Sequence, residues 1–563
     1  MMFPDHFSTP FYEYVATEKG VFKILGGGNM ARVSNFLGIK FIYHNIDTGE
    51  FQAEIAYTAF DDNKTVIVPR KDYLQRKGLL NLQFKGLDVT ESNASSLTKY
   101  FREEENRKMS SKKNVHSTLG FSQYQGKLIF KHQKAIGIDS DYIGSYDIAP
   151  RGSYEEYLTM LKKEVFGNTP LETIVSASIS SILLGYLGTE LGLESTIIHL
   201  VADSTTGKST ALKLAISVFS SCDIKANSLF SSYNATPNSL IQKLTGLNGF
   251  PYALDEISVS NMQNFTSFIY ALANGTEKER LNKDSILMPK KSWISNIFSN
   301  GERSLVGSAN KNRGIPARII EIKNYTFTRD AQNAENIQRT IQHSYGHLGY
   351  KFAEYLVSLE KKDLIDRYEA IRTMLFDKFT KTLVTDDLLS RRTAKFAIIL
   401  LSAELLQDFL KITIQIEKMV EFFMQIEKDS LKTRNFNDSV IDYIKDFISI
   451  NIQRFSVNDP FTAANFGRIQ KKKDYVEVSM NKTTFRKMLS DGHYEDADIV
   501  LKELKKTGNL SSDKDRFTRT RKNTLGFTEE VYVLKLDDTK IMHILEKVEN
   551  PEIPEEIVEV DII

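Results

Sequence analysis

The segment TIIHLVADSTTGKSTALKLAISVF, residues 196–219, constrains the fold of this chain more than any other stretch. It begins with an apolar, β-branched run, continues through the polar loop ADSTTGKS, and ends in apolar residues at helical spacing. A strand that leads through a short loop into a helix is one half of a parallel βα unit. Because β-type and helical segments keep alternating after it, we predict an α/β core around a parallel sheet.

The loop has the composition of a phosphate-binding segment. Its backbone N–H groups can surround an anion at the N-terminus of the following helix, whose partial positive charge favours that anion. Lys208 would reach the β- and γ-phosphates, Ser209 would ligate Mg²⁺, and Gly207 permits close backbone approach. Ala202 occupies the first position, usually glycine, which the loop tolerates if its φ stays negative. The residues predicted to bind ATP and Mg²⁺ are Ala202, Asp203, Ser204, Thr205, Thr206, Gly207, Lys208, Ser209 and Thr210.

A second apolar run, FPYALDEIS, ends in the adjacent carboxylates Asp255 and Glu256. Behind a phosphate-binding loop, such an aspartate shares the Mg²⁺ shell and such a glutamate polarises the attacking water. Alone, an acidic pair after a strand is usually a solvated strand end, but its spacing behind the loop favours the catalytic interpretation. We therefore predict Ser209 and Asp255 as metal ligands, and His199, inside the apolar strand, as a packed core residue.

Two further strand boundaries carry polar residues. Asn300 ends the strand in WISNIFSNGE, and Arg318 precedes the strand in GIPARIIEI. An amide beside the acidic pair could orient the water, and an arginine could reach the γ-phosphate of a neighbouring subunit. Between these elements and the acidic pair, residues 277–291 predict a β-hairpin whose tip carries Lys283. A lysine at such a turn is ordinarily only solvated.

The remaining sequence divides into further domains. Between residues 38 and 68, three β-rich runs predict an antiparallel meander, with the first turn at residues 47–49. Gln125-Gly126 predicts a second hairpin, Gly26 to Gly28 a plain turn, and the charged stretch 102–114 a loosely ordered segment. We predict a β-rich N-terminal domain at residues 1–151 and an AAA+ P-loop ATPase core with preceding helices at residues 152–327. A helical lid at 328–432, a C-terminal winged helix at 433–540 and an acidic tail at 541–563 should follow.

The C-terminal part combines two helical patterns with the basic stretch KDRFTRTRKNT. Two helices followed by a basic hairpin suit a winged helix whose helix or wing contacts DNA phosphates. The predicted contacts are Arg516, Arg519, Arg521 and Lys522. A winged helix that binds protein, with a solvated charged wing, remains the alternative.

Composition limits the remaining classes. Cys222 is the only cysteine, so neither a disulfide framework nor a four-cysteine zinc site can form. The net charge of +1 excludes a uniformly basic nucleic-acid coat. The N-terminus lacks a signal-peptide pattern, and the apolar stretches 173–188 and 396–409 fall short of a membrane span. We predict buried helices at both stretches, no membrane contact and a cytoplasmic location.

Several motifs in the same order resemble one known family. They are HLVADSTTGKSTAL, YNATPNSLIQKL, YALDEIS, YALANGTEKERL, FSNGE, GIPARIIEI and HSYG. This set resembles the MCM-like AAA+ replicative helicases of staphylococcal cassette chromosome elements, once filed as a domain of unknown function.

The resemblance implies a homo-hexameric ring that hydrolyses ATP between subunits, translocates on single-stranded DNA and supports replication of a mobile element, with element-encoded replication partners. It implies Asn300 as a sensor, Arg318 as an arginine finger and Lys283 on a pore hairpin. Arg391 and Arg392 are both open as a second sensor. Two functional alternatives also remain open. One is a regulatory or assembly ATPase whose winged helix binds a partner protein and whose ring does not thread DNA, and the other is a DNA-binding initiator that uses ATP as a switch without unwinding.

Overall fold

The computed structural model has a multidomain α/β architecture with several separate sheets. The described hydrophobic residues form three large clusters, within residues 14–101, 119–426 and 440–541. The structure describes residues 13–59, 62–225, 227–257, 265–277, 279, 281, 287, 290–308, 314–383, 386–434, 436–457, 465–492, 494, 496–513, 516–522, 526–537 and 541–542.

The N-terminal part is rich in β-structure. Its elements are β1 (Tyr14–Thr17), β2 (Gly20–Ile24), β3 (Met30–Ser34), β4 (Leu37–Asn45), β5 (Phe51–Ala59), β6 (Asp62–Pro69), α1 (Arg70–Leu74), α2 (Arg76–Leu82), α3 (Ala94–Lys108), β7 (Lys113–His116), β8 (Leu119–Tyr124), β9 (Lys127–Lys131), β10 (Ala135–Ile136) and β11 (Ser140–Tyr142). Strands β4, β5 and β6 pair antiparallel, which confirms the predicted meander. Gly49, at φ +72°, closes its first turn.

The charged stretch 102–114 is ordered, so the prediction of a loose segment was wrong. Helix α3 continues to Lys108, and β7 begins at Lys113. The carboxylate of Glu105 is buried and accepts hydrogen bonds from Arg70 at 2.7 and 2.9 Å and from the Tyr73 hydroxyl at 2.6 Å. A charged residue can be buried when its partners satisfy it, and these partners lie too far away in the sequence to be anticipated.

The predicted hairpin at Gln125-Gly126 is present as β8 and β9, with both turn residues at positive φ. This hairpin packs with the central cluster, and β8 pairs with a short strand from the α/β core. Gly120 is required at this junction, because a Cβ there would lie 1.7 Å from the carbonyl oxygen of Asn248. The N-terminal strands and the core therefore share a packed boundary.

The α/β core is organised around a five-stranded parallel sheet. Its elements are α4 (Tyr154–Met160), α5 (Thr169–Leu191), β12 (Thr196–Val201), α6 (Lys208–Ser217), β13 (Phe230–Ser232), α7 (Pro237–Leu244), β14 (Leu247–Asn248), β15 (Tyr252–Asp255), α8 (Phe265–Asn274), β16 (Asn296–Gly301), α9 (Leu305–Ser308) and β17 (Ile319–Lys323). The strand order is β13-β15-β16-β12-β17. All carboxyl ends therefore meet at one edge, and all amino ends at the opposite edge.

A helical region follows the sheet, as predicted. It comprises α10 (Ala331–His343), α11 (His347–Val357), α12 (Lys361–Thr382), α13 (Leu389–Leu410) and α14 (Ile416–Arg434). Helices α5 and α13 hold the two apolar stretches and are largely buried, which confirms that prediction. Helix α5 is long and apolar enough to cross a membrane, but 89% of its most apolar window is buried inside the protein.

The C-terminal part has its own sheet and core. Its elements are α15 (Phe436–Ile450), β18 (Phe455–Val457), β19 (Gly467–Lys471), β20 (Val476–Asn481), α16 (Lys482–Asp491), α17 (Ala497–Lys506), β21 (Leu510–Ser511), β22 (Arg519–Lys522) and β23 (Thr528–Leu536). The predicted two helices followed by a hairpin are present as α16, α17, β22 and β23. The antiparallel pair β19–β20 was not anticipated. The predicted acidic tail lies almost entirely outside the described residues.

Candidate active site

The predicted phosphate-binding loop connects β12 to α6 at the carboxyl edge of the sheet. Gly207 precedes α6 with φ +82°, and a Cβ there would lie 2.6 Å from the Oγ1 of Thr328. Ala202 is not among the residues with positive φ, so its backbone meets the condition for replacing glycine. Thr205 does have positive φ, at +70°. Asp203, Ser204 and Thr205 are exposed, which leaves the mouth of the loop accessible to a ligand.

The loop is held in shape by contacts from three directions. The Lys208 ammonium donates to the carbonyl oxygens of Ala202 and Asp203, the latter at 2.6 Å. The Phe327 N–H donates to the Thr206 carbonyl at 2.8 Å. The Ser204 hydroxyl donates to the Glu302 carboxylate at 2.8 Å. The lysine therefore spans the loop from inside, and residues after β16 and β17 support it from outside.

The residues predicted to flank the metal lie together beside the loop. Asn300 Nδ2 donates to Asp255 Oδ1 at 2.7 Å and lies 3.2 Å from Ser209 Oγ. Ser209 Oγ is 3.5 Å from the same carboxylate oxygen. The backbone N–H of Glu256 donates to Asn300 Oδ1 at 2.7 Å. A single buried amide thus ties together the first turn of α6 and both residues of the acidic pair.

Strand register explains this convergence. β16 lies between β12 and β15, with Leu200 opposite Asn300 and Leu254 opposite Ser299. The strand that carries the amide is therefore inserted between the strand of the loop and the strand of the acids. Glu256 leaves β15 at φ +59°, a conformation that costs energy for a residue with a side chain. The N–H of Glu256 donates to Asn300, so the chain turns at the residue that this hydrogen bond holds.

His199 is a buried core residue, as predicted. Its Nδ1 lies 2.9 Å from Ser299 Oγ, and its Nε2 lies 2.9 Å from the Arg303 carbonyl. The Tyr233 hydroxyl lies 2.9 Å from the same Ser299 Oγ. Burial lowers the pKa of His199, so a neutral ring that donates from Nε2 fits this chain of partners. The chain fixes β12 against β16, directly beside Asn300.

The donor set around Ser209 fits a hard divalent cation that also binds a substrate phosphate. Mg²⁺ is typically held by one or two carboxylates together with phosphate oxygens and water, rather than by a dedicated protein cage. Asp255 and Ser209 supply one carboxylate and one hydroxyl. Within the described ranges there is no group of three or more His, Cys, Asp or Glu side chains that could hold a metal alone. One carboxylate and one hydroxyl suit a cation whose remaining ligands are phosphate oxygens and water.

Arg318 lies at the opposite, amino edge of the sheet. It directly precedes β17, whose first residue Ile319 pairs with Ile197 near the start of β12. Its Nε donates to Asn274 Oδ1 at 3.0 Å, and its guanidinium carbon lies 4.9 Å from the centre of the Tyr270 ring. The structure does not bring Arg318 to the loop of its own chain.

The two arginines left open as a second sensor have different surroundings. Arg391 is exposed, whereas Arg392 is buried and paired with Glu427 at 2.6 Å. Lys283, predicted at a pore hairpin, lies outside the described residues. The flanking bridges Thr276–Ser292 and Leu281–Leu287 are antiparallel, as the hairpin prediction requires.

The predicted basic residues of the C-terminal hairpin are not equivalent. Arg519, Arg521 and Lys522 lie on β22, with Arg516 just before it. Arg521 donates to the Glu477 carboxylate at 3.3 Å and is partly buried, whereas Arg516 and Lys522 are exposed. Helix α17 adds two exposed lysines, Lys502 and Lys506, four residues apart. The sequence analysis did not select these lysines, although their spacing indicates one helix face.

Comparison with known families gives matches over two separate stretches of the chain. Residues 23–291 match the family described as a domain of unknown function (DUF927), and residues 436–539 match the Cch helix turn helix domain. No curated protein matches the chain. A solved structure described as "SCCmec type IV Cch - active helicase" is similar, with a TM-score of 0.78 and 24% identity over 95% of this chain and 99% of that chain. This chain has the Cch fold.

The family resemblance inferred from the sequence is thereby confirmed. The match to DUF927 includes the predicted phosphate-binding loop and the acidic pair, and the match to the Cch helix turn helix domain includes α16, α17 and the basic hairpin. Three site features had no sequence signal: the contact of Glu302 with Ser204, the approach of Thr328 to Gly207, and the buried position of Arg392.

Proposed function

We propose that this chain is an ATP-dependent DNA helicase with an AAA+ P-loop core. One observation carries the proposal. The Asn300 amide joins Ser209, Asp255 and the backbone of Glu256 at the mouth of a loop that caps a helix. A phosphate-binding loop, a carboxylate for the metal shell, a carboxylate for water and an orienting amide are the parts that phosphoryl transfer to water requires.

ATP binding would use groups that already point into the loop. The N–H groups at the start of α6 can donate to phosphate oxygens, and the Lys208 ammonium can exchange its present partners for such oxygens. The ammonium is bonded to carbonyls of its own loop, so it needs only to turn outward to reach the β- and γ-phosphates. Mg²⁺ held by Ser209 and Asp255 would neutralise charge that develops on the phosphates.

Hydrolysis would then depend on Glu256 and Asn300. Glu256 accepts a proton from the attacking water, acting as the general base. Asn300 holds the backbone of Glu256 and the carboxylate of Asp255 at once, so it fixes the base relative to the metal ligand. Such preorganisation lowers the barrier because the polar groups need not reorganise during the reaction.

The position of Arg318 supports hydrolysis between subunits. β12 has six residues and therefore spans on the order of 17 Å at about 3.3 Å per residue. The loop lies beyond one end of this strand, and Arg318 lies beside the other. An arginine so placed can complete only the site of a neighbour, in agreement with the homo-hexameric ring that the family resemblance implies.

DNA would contact the ring at two places. Lys283 belongs to the proposed pore hairpin, which would grip single-stranded DNA. Arg516, Arg519 and Lys522 of the winged helix, together with the α17 lysines, would bind phosphates, giving an affinity that falls with salt. We propose replication of a mobile element as the setting, with partners encoded by the element.

Unwinding of a forked DNA duplex tests the proposal. The wild-type protein with ATP and Mg²⁺ should separate the strands, and Lys208→Ala should not. The matched control is Lys213→Ala, which removes a lysine from α6 outside the loop and should unwind normally. ATP hydrolysis without unwinding by the wild type would contradict the helicase assignment.

A second function has one observation in its favour. Several charges of the C-terminal domain are already paired, among them Arg521 with Glu477 and Lys482 with Glu530. A surface that is partly neutralised suits a protein partner better than a phosphate backbone. A regulatory or initiator ATPase that does not unwind is therefore the alternative, and its ATPase rate would not respond to added single-stranded DNA.

A further inference from the structure

The guanidinium of Arg392 is enclosed in the protein next to the segment that carries Arg318. Arg392 is 1% exposed, and its partner Glu427 is fully buried. Arg392 Nε donates to Glu427 Oε2 at 2.6 Å. Its Nη1 donates to the carbonyl oxygens of Pro316 and Ile319, both at 2.7 Å. One charged group of α13 therefore bonds the backbone on both sides of Arg318.

The remaining backbone groups at Arg318 are also bonded. The Arg318 N–H donates to the Ile315 carbonyl at 2.9 Å, and its carbonyl accepts from the Ile197 N–H at 3.2 Å. The segment is thus tied to β12 on one side and to Arg392 on the other. The side chain of Arg318 extends toward Asn274 and Tyr270 on α8, and its Nη1 donates to the Gly314 carbonyl at 3.0 Å.

Stability alone is a poor explanation for a charged pair at this place. Burying two charges costs desolvation energy that their attraction often only offsets, and apolar residues of similar size frequently stabilise a protein as well or better. Arg392 Nη2 is in addition buried without a hydrogen-bond partner among the described residues, which adds to the cost. What the arginine provides uniquely is a planar set of donors that can bond a carboxylate and two carbonyls together.

We propose that Arg392 is a positioning residue that holds Arg318 in the orientation needed to reach the γ-phosphate of the neighbouring subunit. This inference rests on the proposed function, in which Arg318 acts between subunits. Under this proposal Arg392 is no longer a candidate for the second sensor, because its guanidinium donates to Glu427 and to backbone carbonyls. Since a misplacement of about 1 Å can cost about 10²-fold in rate, loss of the two carbonyl bonds should mainly affect hydrolysis.

The test compares Arg392→Lys with Arg318→Ala and with Arg367→Lys, the same exchange at an arginine of α12 that pairs with Glu404 of α13 at 3.0 Å and serves as the matched control. Lysine keeps the charge beside Glu427 but cannot reproduce the planar fork. We expect kcat of Arg392→Lys to fall about 10²-fold, while the Kd for ATP stays within twofold of wild type, because the ATP site of the same chain lies at the other edge of the sheet. Arg367→Lys should keep the wild-type kcat.

A double variant, Arg392→Met with Glu427→Met, guards against a folding defect, because it removes both buried charges together. It should melt near the wild-type temperature and show the same loss of kcat with unchanged ATP affinity. Normal hydrolysis by Arg392→Lys or by the folded double variant would overturn the inference, as would a parallel loss of ATP binding.

Failure of the inference can be separated from failure of the proposed function. If Arg318→Ala is inactive and Arg392→Lys is active, only the role of Arg392 falls. If Arg318→Ala itself hydrolyses ATP normally, the role of Arg318 between subunits falls, and the inference about Arg392 falls with it.

Discussion

The two edges of the parallel sheet hold their polar groups in different ways. At the carboxyl edge, side chains from adjacent strands bond directly to one another, as Asn300 does to Asp255. At the amino edge, a buried cation from a distant helix bonds the backbone beside Arg318. The first arrangement forms within the sheet, whereas the second needs α13 and α14 in place. In the proposed function, these two edges are the two halves of an ATP site that is completed between subunits.

Among the variants that compare the two edges, Arg318→Ala should have the largest effect on kcat. Removal of an arginine finger costs about 10³ to 10⁵ in kcat, and we expect a loss in that range. Binding of ATP to the same chain should change little, because the loop lies at the far edge. Equilibrium titration with a fluorescent ATP analogue beside steady-state ATPase assays measures both quantities. Loss of ATP binding equal to the loss of kcat would break the distinction between the edges.

Asn300→Ala should have the next largest effect, and it should act at the carboxyl edge. The variant loses the amide that holds Glu256 and Asp255, and removal of one preorganised donor costs about 10² to 10³ in kcat. Single-turnover hydrolysis isolates the chemical step. Asn296→Ala is not a suitable control, because that side chain bonds α5 in the core. Asn63→Ala, at an exposed asparagine of β6, should cost much less, and an equal loss would contradict the assignment.

The smallest effect concerns Lys395, which bonds the amino end of β12. Its ammonium lies 2.8 Å from Thr196 Oγ1 and 3.3 Å from the Ser195 carbonyl, and burial lowers its pKa to about 7. Between about pH 7 and 10.5 the unfolded chain binds the proton that the folded chain has lost, so stability rises with pH in this window. Below pH 7 both states are protonated, and this contribution stops changing.

Lys395→Met should lack this pH dependence. We expect the melting temperature of the wild type, relative to that of the variant, to rise by about 2–5 °C between pH 7 and 9. Thermal unfolding of both proteins at the two pH values, at matched ionic strength, measures the difference. Parallel pH profiles would mean that Lys395 keeps an ordinary pKa in the folded protein.

The carboxyl edge could be predicted from the sequence because the residues that identify it lie within short, continuous segments. The strand, loop and helix around Lys208 are contiguous, and Asp255, Glu256 and Asn300 each end an apolar run whose direction is set by the parallel sheet. The antiparallel meander could be predicted for the same reason, since the turn at Gly49 separates two β-rich runs that are close in sequence.

The amino edge could not be predicted in this way. Arg392 meets Pro316 and Ile319, more than seventy residues earlier, and Glu427, 35 residues later. No spacing rule connects such partners before the helices are packed. The error at residues 102–114 has the same cause, because the charge of Glu105 is satisfied by Arg70, 35 residues away. In both places a charged residue was judged by its neighbours in sequence rather than by those in space.

The proposed function requires that the two edges of neighbouring subunits form one ATP site. Its most direct test is to mix Arg318→Ala subunits with Lys208→Ala subunits and to measure ATP hydrolysis, with formation of mixed rings checked by crosslinking of differently tagged subunits. The account predicts that the mixture recovers activity that neither variant has alone, because some interfaces combine an intact loop with an intact Arg318. Mixed rings that remain as inactive as the separate variants would contradict it.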